Sequence, residues 1–239
     1  MKVPVFIISF NRLGCLRKLV EWLASAELAE PVIVDNGSTY RPLLDWFAQV
    51  RGSIAIQAFP DNYGPYRVWE QRLFAAHTSP EQPFYVVTDP DIVPIPECPK
   101  DAIPRLIDTW NQLRCPKVGL SLRLDTIPDT LPTGRDIRGW ETTLQSDLGG
   151  DGGGGAPVPR HYTSLLDTTF QVNHRDVLPP SYGSTGIRLA PPYQADHLGW
   201  NLDPQRLSDE DKYYWDTASS RASTIQGLKG RGFSGGQDE

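Results

Sequence analysis

Asp89-Pro-Asp91 closes the apolar run Tyr85-Val-Val-Thr88 and is followed by Ile92-Val-Pro94. Carboxylates two positions apart on an extended chain point the same way. They can therefore share a task, with a metal on one or both and a ribose or loop amide on the rest. Their hard oxygens suit Mg²⁺ or Mn²⁺, cations that keep open positions for phosphate oxygens. The same spacing also occurs in ordinary surface turns, so its context decides. A further carboxylate, Asp167 in Leu166-Asp-Thr-Thr-Phe170, reads as part of a β-prone stretch from Leu165 to Asn173. A charge set in such a stretch is costly unless it has a partner or a proton to accept. Glu141 beside Trp140 and Asp196 beside His197 are rival proton acceptors.

The elements that must position these groups follow from the hydrophobic pattern. Val3 to Phe10 is a near-continuous apolar run, as expected for a strand buried on both faces of a largely parallel sheet. Arg12 to Leu28 carries Leu13, Leu16, Leu19, Val20 and Leu23 at helical spacing. The alternation continues with a strand at Pro31–Asp35, a helix at Tyr40–Val50 and a strand at Ser53–Phe59. A helix at Tyr66–His77, a strand at Phe84–Thr88, a helix at Ala102–Leu113 and a strand at Val118–Leu122 complete it. This pattern predicts a doubly wound α/β sheet, in which ligands bind beyond the carboxyl ends of the strands, where Asn11, Asp35 and Asp89 to Asp91 fall. Past Arg123 the alternation stops. Gly149 to Gly155 has the composition of a flexible loop, Ser208-Asp-Glu-Asp211 reads as a capped helix start, and Gly227 to Glu239 reads as a disordered tail. One domain is expected over 1–226, with a binding half at 1–123 and an acceptor half at 124–226.

Composition narrows the class. A net charge of −6 with no Lys/Arg cluster argues against nucleic acid as a partner. With 7 Trp, 9 Tyr and 8 Phe, the chain is too aromatic to be disordered. Cys15, Cys98 and Cys115, odd in number and widely spaced, suggest reduced thiols rather than a disulfide framework or a zinc site. The run Val3 to Phe10 is too short for a signal segment or a membrane span, so a cytoplasmic protein is expected.

Four segments taken together, Ile7-Ile-Ser-Phe-Asn-Arg12, Val34-Asp-Asn-Gly-Ser-Thr39, Asp61-Asn-Tyr-Gly64 and Thr88-Asp-Pro-Asp91, make the chain resemble GT-A glycosyltransferases of the family 2-like group. Each motif is weak alone; their order and spacing carry the likeness. The resemblance implies a GT-A fold, Rossmann-like and mainly parallel, with an acceptor-side region in the C-terminal half. It implies a metal-dependent enzyme that moves a sugar from a UDP-, GDP- or dTDP-linked donor to a hydroxyl of a glycan or other acceptor. Phe10, Asn11, Arg12 and Asp35 would hold the nucleoside, Asp89 and Asp91 the ribose and the metal, and His197 would be a third metal ligand.

The residue chemistry agrees at several positions. A carboxylate at Asp35 can accept an imide N–H or a guanine amino group. Gly64, with Asn62 beside it, permits close backbone approach, and Arg67 could face a diphosphate. Trp140, Tyr162 and Trp200 are candidate stacking surfaces for an acceptor sugar, and His77, His161 and His174 read as structural. Asp167 is the first choice for the general base, with Glu141 and Asp196 behind it, and the stereochemistry stays open. Two alternatives stand beside transfer: a sugar-phosphate nucleotidyltransferase, for which Asn11-Arg-Leu-Gly14 does not supply a phosphate loop, and a non-catalytic nucleotide-sugar-binding protein.

Overall fold

The computed structural model describes residues 2–146, 148–149, 159–177, 185–219 and 222–233. Residues 150–155 of the glycine segment and 234–239 of the expected tail lie outside them. The elements run β1 (Val3–Ser9), α1 (Leu13–Ala24), β2 (Ala29–Asn36), α2 (Arg41–Val50), β3 (Ala55–Phe59), α3 (Arg67–Glu70), β4 (Phe84–Thr88), β5 (Ile92–Pro94) and α4 (Ala102–Leu113). They continue with β6 (Val118–Leu122), α5 (Gly134–Leu144), β7 (Leu148–Gly149), β8 (His161–Leu165), β9 (Gln171–His174), β10 (Thr185–His197), α6 (Asp209–Thr217) and α7 (Ser223–Gly230).

One sheet holds them in the order β3-β2-β1-β4-β9-β6-β10-β8-β7, with β5 paired to β10. Strands β1 to β4, β6 and β10 point the same way, while β9 and β8 run against them. This is the expected α/β, Rossmann-like sheet with a mixed region added by the C-terminal half. Strand β1 lies between β2 and β4, and all seven of its residues are buried. Its side chains alternate between two cores: Val5 and Ile7 pack among residues of α1 and α4, and Phe6 and Ile8 join Tyr85 and Val87 on the other face. Among the described residues no helix is long and apolar enough to cross a membrane.

Three expectations need correction. The helix expected over Tyr66–His77 is broken: α3 ends at Glu70, Arg72 adopts φ 49°, and a short 3-10 turn follows at Leu73–Ala76. Val68 and Phe74 are both buried in the same apolar cluster, although a straight helix, turning roughly 100° per residue, would put them on different faces. The break lets both reach it. The strand expected over Leu165–Asn173 is also two strands, because β8 pairs with β10 while β9 sits between β4 and β6. The chain must cross two strand positions between them, and Leu166 to Phe170 make that crossing as a turn, with Phe170 at φ 43°. Finally, Gly227 to Gly230 belong to α7 and not to a tail. Ile225 and Leu228 are buried with Trp215 and Leu202 in a small separate core, a gain that outweighs the glycine content of the helix.

The expected capped start is observed at α6, where Ser208 Oγ accepts from the Asp211 amide at 3.1 Å and the Ser208 amide donates to Asp211 Oδ2 at 3.3 Å. Ser208→Ala should therefore cost about 1 kcal/mol of stability. The loss should appear as faster amide hydrogen exchange confined to α6 and α7, and unchanged exchange there would show that the cap contributes nothing.

Candidate functional site

A cleft of about 220 Å³ opens at the carboxyl ends of β1 and β4. Phe10 and Arg12 reach it from the end of β1, Asn36 from β2, Asn62 and Gly64 from the loop after β3, and Asp89 and Asp91 from the end of β4. Asp167 and Thr168 enter from the turn between β8 and β9, and His197 and Gly199 from the end of β10. Leu202, Tyr214 and Ile225 close it from the C-terminal segment. Residues distant in sequence thus meet at the sheet edge where ligands of such folds bind.

The centre of the cleft is an ion pair. Arg12 Nη1 donates to Asp91 Oδ2 at 2.6 Å, and both side chains are nearly buried. Tyr214 lies against the guanidinium, with its ring centroid 5.0 Å from Cζ. His197 Nδ1 is 3.5 Å from the same carboxylate oxygen, and its ring stacks on Trp200 at 4.3 Å and 8°. A Cβ on Gly199 would stand 2.4 Å from Asp91 Oδ2 and 3.1 Å from Arg12 Nη1, so no larger residue fits there without displacing the pair.

The two carboxylates of the Asp-x-Asp segment differ in their electrostatics. Burial works against ionisation of Asp91, but His197 and Arg12 outweigh it and hold its pKa below the usual carboxylate range. Asp89 is driven the other way, first by burial and then by the charge of Asp91, and its pKa lies well above the usual range. Thr168 Oγ1 donates to Asp89 Oδ2 at 2.5 Å, and the Asp89 amide donates to the Thr168 carbonyl at 3.0 Å. One strand end therefore presents an anion and a carboxyl that resists becoming one.

Several expected residues have other occupations. Asn11, at φ 51°, is fully buried and lies off the cleft wall. Its Oδ1 accepts from the Thr39 and Tyr40 amides at 2.7 and 3.0 Å, and its Nδ2 donates to Thr217 at 2.9 Å, so it ties the loop after β2 to α6. Asp35 is also off the wall; it is 4% exposed, its Oδ2 accepts from the Ser38 amide at 3.3 Å, and burial raises its pKa. Asp35 Oδ1 has no hydrogen-bond partner among the described residues. Arg67 sits over the Tyr63 ring at 3.8 Å and pairs with Glu70 at 3.4 Å, outside the cleft wall.

Asn62 and Gly64 do line the cleft, and Asn62 Oδ1 accepts from the Gly64 amide at 3.0 Å, with Gly64 at φ 82°. Among the three candidate bases only Asp167 is on the cleft wall, and it stands in a turn instead of the expected strand, accepting from the Thr169 hydroxyl. Glu141 is buried against Arg188 at 2.7 Å, and Asp196 is held by two bonds from Arg123 at 2.8 and 2.6 Å. Both carboxylates are already neutralised. Trp140 is 58% exposed away from the cleft, and Tyr162 lines a separate groove with Arg123, Gln145 and Gln194. Trp200 supports His197 rather than offering a free stacking face in the cleft.

The expected three-ligand set of Asp89, Asp91 and His197 is not assembled as a cage, since no group of three or more His, Cys, Asp and Glu among the described residues is arranged to hold a metal ion. Arg12 already occupies one oxygen of Asp91. Sequence reasoning also missed Asn36, Thr168, Gly199 and Tyr214. Asn36 could have been found as the neighbour of Asp35; its Oδ1 is buried and has no partner among the described residues.

The Asp89 environment gives a test. Asp89 binds its proton more tightly in the folded chain, so stability falls as pH rises from the unfolded pKa, about 3.9, through the folded one. Asp89→Asn removes that loss. The variant should therefore have the higher Tm near pH 7. The gain should vanish near about pH 3, where both side chains are neutral. Calorimetry showing equal or lower stability of the variant at neutral pH would overturn this account of Asp89.

No protein-family model and no curated protein matches the chain. Among solved structures it is similar to the mannosyltransferase PcManGT from Pyrobaculum calidifontis in complex with GDP-Man and Mn²⁺, at 16% identity over 52% of this chain and 36% of that one, with a TM-score of 0.40. It is similar to S. aureus TarS at 10% identity, 97% and 42% coverage and a TM-score of 0.49. It also matches 4-diphosphocytidyl-2C-methyl-D-erythritol synthase at 12% identity, 96% and 86% coverage and a TM-score of 0.42. The chain thus spans 36% of the length of the first of these proteins and 42% of that of the second. Likenesses this distant transfer neither reaction nor substrate to this chain.

Proposed function

We propose that the cleft binds the diphosphate of a nucleotide sugar and transfers the sugar to an acceptor hydroxyl. The observation that carries this reading is the meeting of Arg12, Asp89, Asp91 and Asp167 on one cleft wall at the carboxyl ends of the central strands. A fixed guanidinium suits a diphosphate, two carboxylates of opposite ionisation tendency suit a cation and a ribose, and a third carboxylate suits a proton acceptor.

Although no three-ligand group is assembled among the described residues, the carboxylate oxygens of Asp89 and Asp91 are of the hard kind that Mg²⁺ or Mn²⁺ takes, with phosphate oxygens supplying the rest. Asp89 is kept from ionising in part by the charge of Asp91, a repulsion that a divalent cation relieves. Asp89 and Asp91 would hold the metal, with His197 beside them and phosphate oxygens completing the shell, and the bound cation would neutralise charge developing on the leaving diphosphate. Arg12 adds positive charge from the protein side. Asn36 offers an unpartnered carbonyl oxygen to a base N–H, taking the role expected of Asp35. Asp167, the carboxylate of the β8–β9 turn, takes the acceptor proton.

The test is turnover of UDP-, GDP- and dTDP-linked sugars with and without Mn²⁺ or Mg²⁺, with all products identified. Release of nucleoside diphosphate and a glycosylated acceptor is expected. Conversion of the donor, once pyrophosphate is added, to nucleoside triphosphate and sugar 1-phosphate would mean nucleotidyl transfer, and donor binding without turnover would mean a binding protein; either result defeats the proposal. Asp167→Asn should slow transfer about a hundredfold while donor affinity stays unchanged. Transfer near the wild-type rate would remove Asp167 as the base.

A further inference from the structure

The turn from Leu166 to Phe170, which carries Asp167 and Thr168 to the cleft, rests on two buried cations. Lys117 is 2% exposed, and its Nζ donates to the Leu166 carbonyl at 2.6 Å. Arg188 is 3% exposed and gives Nε and Nη2 to the Leu165 carbonyl at 3.2 and 2.9 Å. Its Nη1 pairs with Glu141, so that pair is neutral as a unit. Consecutive carbonyls thus each receive a charged donor at the point where the chain leaves β8. Such bonds are stronger than bonds between neutral groups.

Lys117 has a different charge balance. Burial lowers its pKa, and the opposing influence is chiefly the negative charge of Asp167. A buried ammonium is expensive unless it is bonded and has a counter-charge. Here the bond goes to the turn and the counter-charge stands on it. The packing leaves little freedom: a Cβ on Gly119 would approach the Thr169 carbonyl to 2.8 Å, and one on Gly186 would approach Lys117 Cβ to 2.9 Å. On its other side the turn holds Asp89 through both the carbonyl and the hydroxyl of Thr168. Neither Lys117 nor Arg188 lines the cleft.

We propose that Lys117 and Arg188 are positioning residues, which fix the β8–β9 turn from beneath so that Thr168 sets Asp89 and Asp167 faces the cleft. The consequence for turnover rests on reading the cleft as a sugar-transfer site; the positioning itself does not. Residue-resolved hydrogen exchange reads the positioning without any activity, because the Asp89 amide is protected by its bond to the Thr168 carbonyl. Lys117→Met should speed exchange at Asp89 by about tenfold or more while Val86 and Ile7 stay unchanged. It should lower kcat about tenfold with the donor KM within about twofold. Lys117→Gln, which keeps a neutral donor, should fall between wild type and Lys117→Met. If Lys117→Met does not fold, Lys117→Gln and Arg188→Lys carry the same measurement. Unchanged exchange at Asp89, or equal acceleration at Asp89 and in the central strands, overturns the positioning role whatever the activity. Faster exchange confined to Asp89, in a protein whose wild type transfers no sugar, upholds the positioning and removes the transfer reading.

Discussion

The Arg12–Asp91 ion pair sets the terms for the cleft. A guanidinium and a carboxylate withdrawn from water cost several kcal/mol each, and only close mutual approach with further bonds repays that cost. The neighbours of the pair serve this end. Gly199 leaves room where any side chain would collide with Asp91, His197 adds a second favourable group to the same oxygen, and the Tyr214 ring covers the guanidinium. Removing either partner would strand the other, a change that costs roughly 3–5 kcal/mol in buried pairs. The pair therefore constrains four chain segments, the ends of β1, β4 and β10 and helix α6, to stay where the cleft needs them.

That pairing also separates the two carboxylates of the β4 end. Asp91 has its cation within the protein and ionises readily. Asp89 has Asp91 as a like-charged neighbour and receives a hydroxyl bond from Thr168, which offsets only part of the cost of ionising it. Groups whose environments push their pKa values apart are those with different tasks in a site. On the proposed reading, an incoming cation would relieve the repulsion from Asp91 that helps to keep Asp89 from ionising. On the same reading, Arg12, bonded to Asp91, would add protein charge beside that ion.

Much of this was legible in the sequence where the physics is local. The apolar run of β4 and the recurring apolar residues of β6 and α4 gave these elements with their observed limits, because propensity and burial agree in them. The Asp-x-Asp segment was placed at a strand end by the same reasoning. Residues 165 to 173 were misread because Leu166 and Phe170 are buried whether the chain is a strand or a turn, so apolar content does not separate the two. What makes it a turn is the sheet order and two cations, Lys117 just before β6 and Arg188 of β10, none of which a window of nine residues contains. Asn11 was misread for a related reason: it stands at the right strand end, but its side chain is consumed by partners 28, 29 and 206 residues away in sequence.

The least legible part is the wall made by the described residues from Leu202 onward. Polar composition and glycines hid a segment whose four buried residues, Leu202, Trp215, Ile225 and Leu228, form a core too small to hold its own fold. Its position depends on bonds to the first forty residues: Glu210 accepts from the Gly14 amide at 3.0 Å, Thr217 accepts from Asn11, and Tyr213 donates to Thr39 at 3.0 Å. These bonds are few and partly exposed, whereas β1 and β4 are held by a continuous core. Local stability follows buried contacts, so the free energy of undocking this segment is set well below that of the sheet. The cleft accordingly has one side held by the central core, carrying Asp89 and Asp91, and one side attached through Asn11, Gly14 and Thr39, with Arg12 against the Tyr214 ring. Asn11 and Arg12, adjacent in sequence, thus link the order of the acidic strand end to the closure of the wall opposite it.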